Sequence, residues 1–163
     1  MISERQPEVE KVFITQAGQM QSELTFATDR VQLNQTESGF NIFADGELWL
    51  RDLIPELRGH YQRRNLPGVL ASILQLRTSG FTIPDTAVRN GISNGATLTG
   101  LKGRWQKLRD EPLTICDTGH NPDGIKEVVD QLESIPLSMR SHPMPSQIAT
   151  ERCSLSTQNQ VAF

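Results

Sequence analysis

At positions 113–122 the chain reads LTICDTGHNP. A short apolar run ends at Asp117, Gly119 permits a tight turn, and Asn121 followed by Pro122 is typical of a helix start. Apolar residues at helical spacing follow this start. The order of strand, glycine-containing loop and capped helix predicts the opening of a βαβ unit, with a second parallel strand after the helix.

The same stretch can carry chemistry. Asp117 follows a strand at its carboxyl end, where α/β sheets bind ligands, and can accept hydrogen bonds from ribose hydroxyls. The free N–H groups at the helix start favour a phosphate or a carboxylate. His120 and Asn121 add neutral donors and acceptors at the same rim. A capped helix with a buried Asp117 that binds its own loop explains the spacing equally well.

Upstream, the pattern of apolar residues predicts a small β-meander flanked by helices. The predicted elements are a helix at 7–20, strands at 24–27, 31–33, 40–43 and 48–50, and helices at 65–78 and 84–91. Asp45 and Gly46 form the predicted turn between the last two strands. The polar stretch 93–102 is predicted to be a linker, because Gly, Thr, Asn and Ser dominate it.

The 163 residues carry a net charge of -3, which argues against a nucleic-acid partner because such proteins present a basic face. The basic residues cluster only at Arg63 and Arg64. Cys116 and Cys153 lie far apart and predict neither a disulfide framework nor a metal site. Without a secretory signal or a long apolar window, the expected location is cytoplasmic, with no membrane partner.

Two further segments contain candidate binding residues. In GRWQ at 103–106, the guanidinium of Arg104 can bind a phosphate, or it can stack on Trp105 or pair with Asp110 or Glu111.

In GHYQRRN at 59–65, Asn65 can cap a helix or contact an adenine edge. The ring of Tyr61 is expected to pack, and His60 to be a loop residue.

Taken together, these segments resemble the folylpolyglutamate synthase/dihydrofolate synthase family of the Mur ligase superfamily over residues 2–133. The matching segments are ISERQPE at 2–8, GHYQ at 59–62 with Asn65 (G-x-Y-Q-x-x-N), GRWQ at 103–106 (G-R-W/F-Q) and DTGHNP at 117–122 (D-x-x-H-N-P). The resemblance implies an α/β fold in two incomplete parts. Residues 1–96 would end a central ATP-binding domain, and 97–136 would begin a Rossmann-like, glutamate-binding C-terminal domain. The polar tail at 137–163 would be disordered or frameshifted.

The resemblance also implies roles for single residues. Asn65, Arg104 and Asp117 match positions that contact the adenine, phosphate and ribose of ATP. His120 and Asn121 match the rim near the incoming glutamate. In the family reaction, a folate-side carboxylate forms an acyl phosphate, and the amine of L-glutamate displaces the phosphate.

The implied cofactors are ATP and Mg²⁺, and the implied partners are L-glutamate and a folate or dihydropteroate, bound by a monomer. No G-x-x-x-x-G-K-[ST] loop occurs in the 163 residues. The family's phosphate loop, metal ligands and pterin pocket would precede Met1. This chain is therefore expected to hold no catalytic residue or metal ligand and to be inactive alone.

Two alternatives remain. A cell-wall peptide ligase of the same superfamily is disfavoured by the form of GRWQ and of the 117–122 loop. A non-catalytic module or truncated gene product is favoured by the missing phosphate loop and the polar tail. Assays of the parent protein with folate and with a nucleotide-linked muropeptide would test the first alternative. The coding DNA before Met1 would test the second, because an in-frame phosphate loop there would make Met1 an artefact of gene calling.

Overall fold

The computed structural model describes residues 1–111, 113–135, 151–152 and 161–162. The chain divides into two compact units. The first unit comprises Met1–Pro55 and Gln62–Asn94, and the second comprises Glu56–Tyr61 and Gly95–Phe163. The second unit thus receives a short segment, Glu56–Tyr61, from within the sequence of the first. The assignment of residues 1–96 to an ATP-binding domain and of residues 97–136 to a glutamate-binding domain stays a prediction.

The first unit combines a three-stranded antiparallel sheet with four helices. The strands are β1 Val31–Gln35, β2 Phe40–Ala44 and β3 Glu47–Leu53, in the order β1-β2-β3. The helices are α1 Glu10–Gln19, α2 Ala27–Arg30, α3 Gln62–Thr78 and α4 Asp85–Ser93. The predicted meander and its flanking helices are confirmed.

The turn between β2 and β3 forms where the sequence predicts it. Asp45 and Gly46 have φ angles of 50° and 89°, the left-handed pair that a two-residue hairpin turn requires. Ala44 pairs with Glu47 across this turn. Arg30 donates two hydrogen bonds to the Asp45 carboxylate, at 3.0 and 2.7 Å, which ties the turn to α2.

The core of the first unit is apolar. Its buried members are Ala27, Val31, Ile42, Leu50, Leu53, Leu66, Leu70, Ala71 and Val88. Helix α3 supplies Leu66, Leu70 and Ala71 from one face. Val69 and Leu76 of the same helix stay 46% and 42% exposed. Less of the apolar surface of α3 is therefore buried than its sequence suggests.

The expected strand at 24–27 and the expected linker at 93–102 need correction. Residues 24–27 form no strand, because Phe26 makes only an isolated parallel bridge with Ile2 and α2 begins at Ala27. The predicted linker at 93–102 contains a helix, α5 Gly95–Thr99. Glu56, distant in sequence, accepts the N–H groups that begin this helix. Local composition could not reveal such a partner.

The second unit also mixes helix and sheet. After α5 come β4 Gln106–Arg109, β5 Thr114–Asp117, α6 Pro122–Glu133, β6 Glu151–Arg152 and β7 Val161–Ala162. The sheet order is β4-β5-β7-β6, and each pair of neighbours is antiparallel. The predicted strand β5 and helix α6 are confirmed, while β4 is new.

The predicted parallel neighbour of β5 is not found among the described residues. β5 pairs with β4 and β7, and both pairings are antiparallel. A short connection joins β4 to β5, and only antiparallel strands can be joined so directly. The described residues therefore show mixed α/β structure without the expected βαβ unit.

The prediction of a disordered or frameshifted tail at 137–163 falls mostly outside the described residues, apart from β6 and β7. Cys116 is buried, and Cys153 lies outside the described residues. No helix in the described part of the chain is both long and apolar enough to cross a bilayer.

Candidate functional site

The end of β5 holds a buried carboxylate. Asp117 is 2% exposed, and it accepts three hydrogen bonds from three separate segments. The Tyr61 hydroxyl donates to Oδ2 at 2.8 Å, the Trp105 N–H to Oδ2 at 2.7 Å, and the Gly119 N–H to Oδ1 at 2.8 Å. A buried charge is strongly destabilising unless such donors surround it, so Asp117 organises the segments that supply them.

The first of these segments is Glu56–Tyr61. Besides the bond from Tyr61, its backbone is held by Gln131 of α6, a buried polar residue. The Gln131 amide donates to the carbonyl of Arg58 at 3.0 Å and accepts the N–H of His60 at 2.6 Å. Both ends of the amide are thereby satisfied.

The tight turn at 103–106 is the second segment. Gly103 and Trp105 both have left-handed φ angles, of 69° and 51°. The Gly103 carbonyl accepts the N–H of Thr118 at 2.8 Å, and the Gly103 N–H donates to the side chain of Gln106 at 3.0 Å. A Cβ at position 103 would lie 2.5 Å from the Thr118 methyl carbon, so any larger residue would require Thr118 to move.

Arg104 lies between these two left-handed residues and is exposed. Its guanidinium donates to the hydroxyl of Thr118, in the loop after Asp117. The alternative partner Asp110 is bonded instead to Lys107, at 2.7 Å. Arg104 is therefore attached to the same loop as Asp117, and among residues 1–111 and 113–135 no second hydrogen-bond partner of its guanidinium is found.

His120 and Asn121 continue the loop into α6. The Nδ1 atom of His120 lies 3.1 Å from the Thr118 carbonyl, an acceptor. A hydrogen bond there requires the proton on Nδ1, which leaves Nε2 as an acceptor in the neutral ring. Asn121 Oδ1 accepts the Gly124 N–H at 2.6 Å, which confirms Asn121 as the N-cap of α6.

Asn65 lies in the first unit, unlike the other candidate residues. It is exposed in the first turn of α3, and its amide donates to Gln62 Oε1 at 3.1 Å. Helix α3 begins at Gln62, so Asn65 is not its N-cap. The G-x-Y-Q-x-x-N segment is thus divided between the two units after Tyr61.

A cleft of about 430 Å³ opens beside Arg104 in the second unit. Its basic lining residues are Arg58, Lys102, Arg104 and Lys107, and its acidic lining residue is Glu56. Glu56 is already bonded to Thr97 and Ala96, and these bonds, led by the one from the Thr97 hydroxyl, hold the pKa of its carboxyl below the ordinary value. The cleft therefore favours an anionic ligand.

Among the described residues, no three His, Cys, Asp or Glu side chains are close enough to hold a metal ion.

Sequence reasoning missed the roles of Tyr61 and Gln131. Tyr61 was expected to pack, and it does lie against Gly59, but its hydroxyl also binds Asp117. The sequence offered one indication of this role, because Tyr61 lies in the same G-x-Y-Q-x-x-N segment as the candidate residue Asn65. Gln131 gave no signal, because a polar residue in an amphipathic helix is normally solvated.

Comparison with known proteins gives two matches of low identity. A 74-residue part of the chain is 28% identical to dihydrofolate synthase/folylpolyglutamate synthase of Escherichia coli (strain K12), covering 45% of this chain and 17% of that protein. A 126-residue part is 24% identical to folylpolyglutamate synthase of Lacticaseibacillus casei, covering 77% of this chain and 28% of that protein.

The chain thus spans less than a third of the length of either curated relative. No family model matches the sequence, and no solved structure matches the fold. The comparisons support a distant similarity to glutamate-adding ligases of the folylpolyglutamate synthase type.

Proposed function

We propose that this chain is part of an ATP-dependent ligase that adds L-glutamate to tetrahydrofolate, to dihydropteroate or to both. The observation that carries the proposal is the bond from the Trp105 N–H to Asp117, 2.7 Å long. It joins the GRWQ turn to the DTGHNP loop, so the two segments that most resemble the ligase family form one structure. The names of the two distant relatives agree with this reaction class.

In this proposal, Arg104 binds a phosphate of ATP. Its guanidinium is exposed at the wall of a cleft whose lining carries three other cations. Guanidinium groups bind phosphate oxygens through two parallel hydrogen bonds, and neighbouring cations raise the local concentration of anions. The bond to Thr118 fixes the side chain before the nucleotide arrives.

Asp117 accepts a ribose hydroxyl in the proposed complex. An ionised carboxylate offers about four lone-pair positions, and protein donors fill three of them. The remaining position is the one assigned to the ribose in this proposal, and reaching it requires the loop around the 2% exposed Asp117 to open. The role of Asn65 at the adenine edge, which the resemblance implies, stays a prediction for the first unit.

His120 and Asn121 lie at the proposed glutamate side. The Asn121 oxygen is occupied by its capping bond, so its amide N–H groups would face the ligand. The amino-terminal end of the twelve-residue helix α6 adds the positive end of a helix dipole, which suits a carboxylate.

The proposed chemistry has two steps. A carboxylate of the pterin substrate attacks the terminal phosphorus of ATP and releases ADP, forming an acyl phosphate. The glutamate amine then attacks the acyl carbon, phosphate leaves, and an amide forms. Magnesium would offset phosphate charge when bound, and its ligands are proposed to lie outside these 163 residues. The proposed reaction belongs in the cytoplasm, and its protein acts as a monomer.

We expect the 163-residue chain alone to bind ATP weakly and not to turn over. The sequence contains no Gly-rich phosphate loop with its Lys and Ser or Thr, and phosphoryl transfer depends on such positioning. Glutamate incorporation into dihydropteroate or tetrahydrofolate, followed with labelled glutamate and ATP, should stay at background. Turnover above background would refute the expected inactivity.

Calorimetric titration with ATP tests the binding site itself. Arg104→Gln should weaken ATP binding about tenfold, since a hydrogen bond to a charged group is lost. Lys126→Gln is the matched control, because Lys126 pairs with Asp130 on the exposed face of α6, away from Arg104 in sequence. Equal affinities for ATP in both variants and the wild type would remove the support for a nucleotide site at Arg104.

A further inference from the structure

The hydroxyl of Tyr61 and the backbone N–H of Trp105 bind the same oxygen of Asp117. Both donors point at Oδ2, at 2.8 and 2.7 Å, while Gly119 binds Oδ1. Tyrosine O–H bonds to a carboxylate are charge-assisted and stronger than neutral bonds. The position of Oδ2, and with it the anchor of Trp105, therefore depends on Tyr61.

Trp105 needs such an anchor. Its φ angle of 51° lies in the left-handed region, which is unfavourable for a residue with a Cβ. A residue keeps such a conformation only when its surroundings impose it. The bond from its N–H to Asp117 is the contact that does so. Loss of this bond would let the turn relax and would move Arg104, the residue before Trp105.

The backbone around Tyr61 is built to accept its ring. A Cβ added at Gly59 would lie 2.6 Å from Cε1 and 2.8 Å from Cζ of the ring. Gly59 is itself buried, so its lack of a side chain makes room for the phenol. The hydroxyl is thereby directed at Asp117 by local packing as well as by hydrogen bonding.

We propose that Tyr61 is a positioning residue for the phosphate-binding Arg104, acting through Asp117 and Trp105. The inference rests on the proposed function, because it assigns Tyr61 a part in the same ATP site. Tyr61 touches no ligand in this account. It fixes Asp117 Oδ2, Asp117 fixes the left-handed Trp105, and the turn then presents Arg104 to the nucleotide.

A double-mutant cycle on ATP binding, measured by calorimetry with the full chain, tests this order of action. Tyr61→Phe deletes only the hydroxyl and should weaken ATP binding about tenfold, as Arg104→Gln does. In the Arg104→Gln background, Tyr61→Phe should change affinity less than about twofold, because the residue it positions is already lost. Additive losses would overturn the proposal and would indicate direct contact between Tyr61 and ATP.

Tryptophan emission provides a readout that a general loss of stability would not mimic. The chain contains two tryptophans, so Trp49→Phe leaves Trp105 as the reporter. In this background, Tyr61→Phe should shift Trp105 emission to the red at a temperature where circular dichroism shows the folded state. Unchanged emission together with unchanged ATP affinity would overturn the proposal.

Gly59→Ala is a second variant that tests whether Tyr61 positions Arg104. It keeps the hydroxyl but displaces the ring, so it should weaken ATP binding and shift Trp105 emission in the same direction as Tyr61→Phe. If the wild-type chain binds ATP and both variants match it, the inference fails and the proposed function stands. If the wild-type chain does not bind ATP, the proposed function fails and the inference falls with it.

Discussion

Buried side chains in the first unit are apolar, whereas the second unit buries the polar residues Asp117 and Gln131. In the first unit, Leu70 and its neighbours pack helix α3 onto the sheet without directional bonds. In the second unit, Asp117 and Gln131 each bind groups from distant segments. Apolar packing tolerates small shifts, while hydrogen bonds to a buried charge fix atoms in one place, which suits a ligand site.

We expect the largest loss of stability from a substitution in the apolar core of the first unit. Leu70 is fully buried, so Leu70→Ala should cost about 2–5 kcal/mol of stability through lost burial and a residual cavity. Denaturant unfolding followed by Trp49 emission, in a Trp105→Phe background, measures it. Val69→Ala on the exposed side of the same helix is the control. Similar losses in both variants would contradict the assignment of the core.

Asp117→Asn disrupts the buried polar network of the second unit and should lower the free energy of unfolding by about 1–3 kcal/mol. An amide has a single acceptor oxygen, so at least one of the three donors would face an NH₂ group. Unfolding followed by Trp105 emission, in a Trp49→Phe background, measures this loss. Asp110→Asn is the matched control, since the exposed Asp110 forms a surface ion pair with Lys107. Equal midpoints for Asp117→Asn and the wild type would show that the buried network is not stabilising.

Substitution of one glycine in each unit compares the loss of stability from backbone strain alone with the loss from strain and close packing together. Gly46 and Gly103 both have left-handed φ angles, but only Gly103 has a neighbour within 4 Å of an added Cβ. Gly46→Ala should cost about 1 kcal/mol from backbone strain alone. Gly103→Ala should cost more, because Thr118 must also move. Calorimetric melting of both variants checks this order, and a larger loss for Gly46→Ala would contradict it.

The smallest effect is a pH dependence in the first unit. The Trp49 indole N–H and then Arg77 bind Asp85, and both hold the pKa of its carboxyl below the ordinary value. A depressed folded-state pKa adds stability above the unfolded-state value, and this stability is lost as pH falls through the folded-state value. Melting temperatures of the wild type and Asp85→Asn should therefore differ at pH 7 and converge below about pH 4. A constant difference across this range would show that the charge is not responsible.

The sequence predicted the elements whose signals are local. The turn at Asp45 and Gly46, the N-cap at Asn121 and the helix after it depend on residues next to one another in the chain, so their patterns are readable. Strand β4 was missed because its side chains are mostly exposed and show no alternation of apolar and polar residues. Helix α5 was missed because Glu56, far away in sequence, binds its first N–H groups.

In the candidate site, too, the sequence predicts single residues but not the contacts between distant segments. Asp117, Arg104, His120 and Asn121 could be named from their segments, and the structure places all four in the second unit. The hydrogen bonds from Tyr61 and Trp105 to Asp117 could not be predicted, since they depend on the tertiary fold. Sequence patterns thus identify residues with suitable chemistry, while the network that orients them requires coordinates.

We propose that Asp117 holds three segments together as one nucleotide site. Two-dimensional NMR of the backbone amides during an ATP titration tests it most directly. We expect the Tyr61, Trp105 and Gly119 amides, one from each segment, to shift together along one binding curve, and Asp117→Asn to weaken that curve for all three. Shifts confined to one segment, or curves with different midpoints, would contradict a single site organised by Asp117.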